Sequence, residues 1–307
     1  MANFDIKFFP LSEPVDWSKI VVEKPVTSSF TKESSTISNC TSTVYYIEDG
    51  KKYKVLMEMA PQEILGVFQS HVMSRAKVEE NLNGYQITYT IGTTTLEEIE
   101  TKKRLDGIIN ASAEAMIKFC KEENDNEAAH DKEQTNKPES ERTEYSSSLP
   151  ASTRSQYTQA AKRKRSAQAV KSIYEFAKVK DEKSGQKVVD IRKPKVAYLK
   201  LMTKGQGDKL EVNTDIYSSN DELIDVKEIT WTLGAGNTKR GIVHPVLLWD
   251  RVYFGQHGNT ACGASNKIFI AEMNYDKYES HSAKIPRCLS RTVTKDLSLG
   301  SGSEEEL

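Results

Sequence analysis

The side chains that carry enzyme chemistry are dispersed in this sequence. Its histidines stand at 71, 130, 244, 257 and 281. His257 and Cys262 make one close pair in a glycine-rich stretch, but a structural zinc site takes about four ligands and no others lie near. The cysteines at 40, 120, 262 and 288 match neither a zinc module nor a small disulfide framework. Gly234-Ala235-Gly236-Asn237-Thr238-Lys239 puts glycines before a lysine. It lacks the spacing and the following helix of a phosphate-binding loop, and reads as a strand-to-strand turn. Asp215, Asp221, Glu222 and Asp225 hold carboxylates enough for a nuclease metal site, yet alternate as an exposed strand edge does. No nucleophile elbow and no dinucleotide fingerprint occurs. The expectation is a protein that is not an enzyme, with no metal and no cofactor.

Residue types suited to holding a polyanion are more concentrated. Aromatic and basic residues interleave in Lys51-Lys52-Tyr53-Lys54, in Lys195-Val196-Ala197-Tyr198-Leu199-Lys200 and in Arg251-Val252-Tyr253-Phe254. A positive groove plus exposed aromatic rings is what holds a single strand, each stacked base contributing ~1–3 kcal/mol. Strand alternation places Tyr198 and Lys200 on one face. The candidate contacts are Lys52, Tyr53, Lys54, Lys195, Tyr198, Lys200, Arg240, Arg251 and Tyr253, with the run Lys162, Arg163, Lys164 and Arg165.

Charge is sorted along the chain although the formal total is only -1. From Arg154 to Lys204 there are 15 Lys/Arg against 4 Asp/Glu, and from Lys121 to Tyr145 there are 9 acidic residues against 4 basic. From Asp296 to Leu307 there is no basic residue. Clustered cations attract phosphates through counterion release, and a tethered acidic segment competes for the same surface. The basic run at 162–165 also reads as a nuclear-import signal.

The elements that would position these groups are mostly strands. With 307 residues, 37% hydrophobic and 28% charged, the chain is polar for a globular protein but long enough for a core. No apolar run reaches the ~18 residues of a membrane span, and the N-terminus lacks a secretory pattern, so no membrane contact and an intracellular, reducing compartment are expected. Residues 1–42 read as an irregular arm with one strand near 20–22, its Phe and Trp residues packing on the core. Residues 43–120 read as the first half of a β core. It has a hairpin at Asp49-Gly50, an alternating strand at 85–91, and a helical period through Leu105, Ile108, Ile109, Ser112, Met116 and Phe119, broken at Asp106-Gly107. Residues 121–155 read as a disordered acidic linker, and 156–194 as a basic segment with a thin helical stripe. Residues 195–290 read as the second half of the core, with strands at 196–202, 210–218, 226–233, 252–254 and 268–273, and 291–307 as a disordered acidic tail. The fold class is β-rich α+β: an OB-like barrel or compact β-sandwich with one or two helices.

Three passages carry a resemblance. They are Tyr53 to Pro61 with Gly66-Val67 after it; Gly84-Tyr85 to Ile91 followed by the helix through Ile108-Ile109; and Tyr198-Leu199-Lys200-Leu201, Ile216-Tyr217, Val252-Tyr253-Phe254-Gly255, Gly263 and Lys267. Together they resemble the single-stranded DNA-binding proteins of nucleo-cytoplasmic large DNA viruses, of the African swine fever virus and phycodnavirus type. The sequence departs from that pattern at Leu65, where the family has proline, and at Ala264-Ser265-Asn266, where it has an aromatic. The resemblance implies an OB-like core and binding of single-stranded DNA without sequence preference, in replication or recombination. It also implies a viral protein of the host cytoplasm, the nucleus or the virion. Replication proteins approached through the acidic tail are the further partners expected. The competing reading is a virion-associated structural protein that packs on nucleic acid or on an acidic protein.

Overall fold

The computed structural model describes residues 5–32, 35–64, 67–73, 80–150, 153–155, 157–158, 173–176, 178–180, 186–191, 193–205, 209–226, 230–231, 241–254 and 262–274. The strands in chain order are β1 (Asp5–Phe9), β2 (Ile20–Val22), β3 (Val26–Lys32), β4 (Ser35–Glu48), β5 (Lys51–Glu58), β6 (Gln62–Ile64), β7 (Val67–Met73) and β8 (Glu80–Ile91). Helix α1 (Leu96–Thr135) follows. After it come β9 (Tyr174–Phe176), β10 (Lys178–Lys180), β11 (Lys187–Val189), β12 (Lys195–Leu201), β13 (Thr203–Lys204), β14 (Glu211–Val212), β15 (Asp215–Tyr217), β16 (Thr230–Trp231), β17 (Gly241–Trp249), β18 (Arg251–Tyr253), β19 (Gly263–Ala264) and β20 (Lys267–Asn274).

One large sheet runs in the order β16-β7-β8-β12-β20-β17-β5-β4-β18-β19, with β1, β2, β3, β6, β9 and β15 paired at its flanks. The protein is thus β-rich α+β, and its described pairs form an open path rather than a closed ring. The two sequence halves are one body: β12 pairs with β8, and β17 pairs with both β5 and β20. The core lies between one face of this sheet and α1. Val55, Met57, Ile87, Tyr89, Ala197, Leu199, Leu247, Trp249 and Ile268 meet Leu105, Ile108, Met116 and Phe119 there. Among the described residues no helix is long and apolar enough to cross a membrane.

Local chemistry accounts for several boundaries. The β4–β5 hairpin turns on Asp49 and Gly50, both at positive φ (50° and 76°), the geometry an Asp-Gly two-residue turn provides. Along β8, Tyr85, Ile87, Tyr89 and Ile91 are buried and Gln86, Thr88 and Thr90 are half-buried, as period-2 alternation requires. The start of α1 is a reciprocal capping box. Glu98 N–H donates to Thr95 Oγ1 (3.1 Å), and the Glu98 carboxylate accepts from Thr95 N–H (3.1 Å).

Three expectations are corrected. First, α1 does not break at Asp106-Gly107. The missing side chain at Gly107 is where the Trp17 ring seats, since a Cβ there would overlap it. Trp17 in turn lies 6.2 Å from Trp249. Second, α1 runs on to Thr135 through the stretch expected as a linker. Nine of residues 121–135 are Lys, Glu, Ala or Gln, which are strong helix formers, and two of the carboxylates reach back to later residues. Glu123 accepts from Tyr145 (3.0 Å), Ser147 Oγ (2.7 Å), Ser148 N–H (3.1 Å) and the Ser148 hydroxyl, and Glu127 pairs with Arg154. Third, the arm is part of the sheet: β1 lies parallel to β5, while β2 and β3 pair with β4. In the basic segment the described residues include β9 and the antiparallel pair β10 and β11, with 157–158 helical.

Two features had no sequence signature. Arg104 is buried, and its guanidinium donates to the carbonyls of Phe9 (2.6 Å), Glu58 (3.0 Å), Pro10 (2.6 Å) and Glu13 (2.7 Å), tying the arm to the helix. Strand β17 is central yet contains Pro245. Its side toward β5 and β6 explains this. β6 pairs with residues 241–243 and β5 with residues 246–249, so Pro245 falls in the gap. Its carbonyl accepts from Met59 N–H (3.0 Å), and no ladder donor is demanded of its nitrogen.

Candidate nucleic-acid interface

The sheet face turned away from α1 gathers several of the candidate residues. Across six strands the registers line up one transverse row. Phe68 stands opposite Gln86, Gln86 opposite Lys200, Lys200 opposite Lys267, Lys267 opposite Leu248 and Leu248 opposite Leu56. Side chains paired across a ladder share a face. Tyr198 stands beside this row, opposite Thr88. On β12, Tyr198 and Lys200 are exposed while Ala197, Leu199 and Leu201 are buried, so the expected common face is realised. Tyr198 is 38% exposed, enough of a ring for a base to cover. Beyond Leu248 and Leu56 the same face closes over a small apolar cluster with Val246, Phe269 and Ile270.

The turn between β19 and β20 joins this patch to a second cationic group. Asn266 Nδ2 donates to the Tyr198 carbonyl (2.6 Å), and Lys200 N–H donates to the Asn266 carbonyl (3.1 Å). Next to it, Ser265 N–H donates to the Arg251 carbonyl (2.9 Å) and Ser265 Oγ to the Asp250 carboxylate (2.9 Å). Arg251 Nε lies 3.8 Å from that carboxylate. Arg251 and Tyr253 alternate with the buried Val252 and turn away from the core. Lys54 is the neighbour on β5. Burial pushes its pKa down, the Asp250 charge opposes that, and Arg251 adds to it. Lys54, Lys200, Arg251 and Lys267 thus stand on this surface, with Asp250 beside Arg251 and Lys54.

Other candidates fall elsewhere. Tyr53 packs against the main core. It sits between Lys52 and Lys54 in a period-2 strand, so the three cannot face one way. Lys52 does face outward, but its ammonium is paired with Glu23 (2.5 Å) and lies 5.1 Å from the Tyr45 ring. Lys195 leaves the face at the start of β12, its ammonium lying 4.8 Å from the Phe176 ring and 5.2 Å from the Tyr174 ring. Lys162, Arg163, Lys164, Arg165 and Arg240, and the tail at 291–307, lie outside the described residues.

Sequence reasoning passed over Lys267, Asn266 and Ser265 as contacts. Only the register of β20 against β12 and β17 reveals them. Among the described residues no group of three or more His, Cys, Asp or Glu side chains is placed to hold a metal ion. The buried Glu58 carboxylate lies 3.0 Å from the half-buried His244 Nε2: burial opposes ionisation of Glu58, but the His244 contact, the hydrogen bond from Leu11 N–H and the charge of Arg104 hold its carboxyl below the usual range. Compared with known protein families and with curated proteins, the chain matches none of them.

Proposed function

We propose that this protein binds single-stranded DNA, without catalysis and without sequence preference, on the outer sheet face around Tyr198. The observation that carries the reading is the gathering of Lys200, Lys267, Arg251 and Lys54 about one exposed aromatic by the Ser265-Asn266 turn. The cations neutralise successive phosphates and release counterions, and Tyr198 offers a stacking plane indifferent to base identity. Thr88, Thr90 and Gln86 on β8 supply a polar floor that hydrogen-bonds any base edge. Lys54 adds a coupling: a phosphate beside a half-buried ammonium favours its protonated form, so the desolvation that weakens Lys54 in the free protein is offset in the complex. An exposed sheet face admits splayed single-strand bases, whereas a duplex keeps its bases stacked. The role that fits is protection of single strands in replication or recombination.

The test is fluorescence anisotropy with an oligothymidylate, a duplex of equal length and an RNA, each at 50 and 200 mM salt. Four phosphate contacts give a log–log salt slope near -3 on a single strand, at ~0.7 per contact. The reading expects the single strand to be held tighter than the duplex. Equal binding of duplex overturns it in favour of general nucleic-acid packing.

A further inference from the structure

We infer that Phe68 on β7 is a second stacking platform for the same single strand, so that a strand held on Tyr198 crosses the sheet transversely, from β12 over β8 to β7. This deepens the single-strand reading above and rests on it.

Register puts Phe68 on the outer face. It stands opposite Gln86 on β8, and Gln86 stands opposite Lys200 on β12. Residues opposed across a ladder share a face, and Lys200 shares its face with Tyr198 two residues away. The neighbouring Val67 shows the alternation from the other side. It is fully buried in the core beneath the sheet, whereas Phe68 is half-buried. Only β8 lies between the two rings. Its outward residues there are Gln86 and Thr88, half-buried and opposite Lys200 and Tyr198.

The spacing suits a nucleotide chain. Two strand spacings of ~4.8 Å and two residues of ~3.4 Å put Phe68 and Tyr198 about 12 Å apart along the sheet surface. A stacked strand advances ~3.4 Å per nucleotide, and one with splayed bases advances further. The two rings therefore take bases about two to four nucleotides apart.

The other directions suit a strand less well. Gly84, the next outward position on β8, is buried, with Thr203 Oγ1 3.8 Å from where a Cβ would stand. The open part of β8 thus begins at Gln86. Along β20 the same face carries carboxylates: Asp215 stands opposite Ile270, and Glu272 stands opposite both Tyr217 and His244. Carboxylates offer a phosphate no counter-charge. The transverse row instead leads from Phe68 through Gln86 to Lys200 and Lys267.

The test measures wild type, Phe68→Leu, Phe68→Trp and Tyr198→Ala against a 12-nucleotide oligothymidylate and an abasic oligomer of the same length, which keeps the phosphates and lacks the bases. Phe68→Leu should weaken oligothymidylate binding about tenfold, within the range for one stacked base, with the salt slope and the affinity for the abasic oligomer unchanged. Phe68→Trp should keep the affinity, and its added indole emission should be quenched by oligothymidylate. Wild-type affinity in Phe68→Leu overturns the platform, and so does an equal loss for both oligomers, which assigns Phe68 to packing. If Phe68→Leu does not fold, Phe68→Trp decides: quenching beyond that of wild type upholds the platform, and none overturns it. A loss in Tyr198→Ala without one in Phe68→Leu sinks this inference alone. A wild type that binds no oligothymidylate sinks the functional reading and this inference together.

Discussion

The Asn266 side-chain amide donates to the Tyr198 main-chain carbonyl at 2.6 Å, while the Asn266 carbonyl accepts from Lys200 N–H at 3.1 Å. One residue thus bonds the strand on both sides of Leu199, and it fixes the β19–β20 turn against the exposed face of β12. The same turn holds Arg251 and Asp250 through Ser265. Two clusters far apart in sequence become one surface because of these bonds.

Tyr198→Ala removes the exposed ring and no core contact. Its expected cost is ~1–3 kcal/mol of single-strand affinity, the range for one stacked base, with an unchanged midpoint of thermal unfolding. Tyr198→Phe should retain the affinity, because stacking needs the ring rather than the hydroxyl. Anisotropy titrations of both variants check this.

Asn266→Ala should act on geometry. It removes the bond to the Tyr198 carbonyl while leaving the main-chain bond from Lys200 in place. Single-strand affinity falls by about tenfold while the salt slope stays at the wild-type value, since no cation is lost. A fall in slope would show instead that the turn serves to place the lysines.

Gly107→Ala separates two effects of opposite sign. On helix propensity alone, alanine in a helix interior stabilises by ~1 kcal/mol. The Trp17 ring occupies the place of the new Cβ, so the substitution should destabilise. Urea unfolding decides the sign, and the double variant with Trp17→Ala should recover part of the loss.

Glu123 gives a pH prediction. Burial opposes its ionisation, but bonds from Ser148, Ser147 and Tyr145 dominate and hold its carboxyl below the usual range. A depressed folded-state pKa contributes stability that is complete above the unfolded value, about 4.3, and is lost as pH falls through the folded one. Glu123→Gln should therefore cost ~1.5–3 kcal/mol at pH 7, the range for hydrogen bonds to a charged group. That gap should narrow steadily below pH 4. A gap that does not change with pH would assign the loss to packing.

Sequence reading reached what local rules control. The Asp49-Gly50 turn, the alternation of β8 and the shared face of Tyr198 and Lys200 follow from backbone geometry that each segment carries alone. The rest depends on tertiary context. The continuity of α1 past Gly107 depends on Trp17, ninety residues earlier. The helical state of residues 121–135 depends on Ser147, Ser148 and Arg154 reaching back to its carboxylates. Strand β17 was masked by Pro245, whose tolerance comes from a gap between β5 and β6. Of the candidate interface, the side chains on β12 were legible, whereas Lys267 joins them only through a register no local pattern encodes. Tyr53 packs on the core side while Lys52 and Lys54 do not, a split between two faces that the run of basic and aromatic residues does not show by itself.

The central claim is that the outer face around Tyr198 holds single-stranded DNA. Its most direct test is the affinity of the triple variant Tyr198→Ala/Lys200→Glu/Lys267→Glu for an oligothymidylate at 50 mM salt, against a control, Lys132→Glu/Lys137→Glu, in the last turn of α1 and just past its end. The account predicts at least a hundredfold loss for the triple variant, with wild-type affinity in the control and an unchanged circular-dichroism spectrum in both. A folded triple variant that binds the oligomer as wild type does would contradict it.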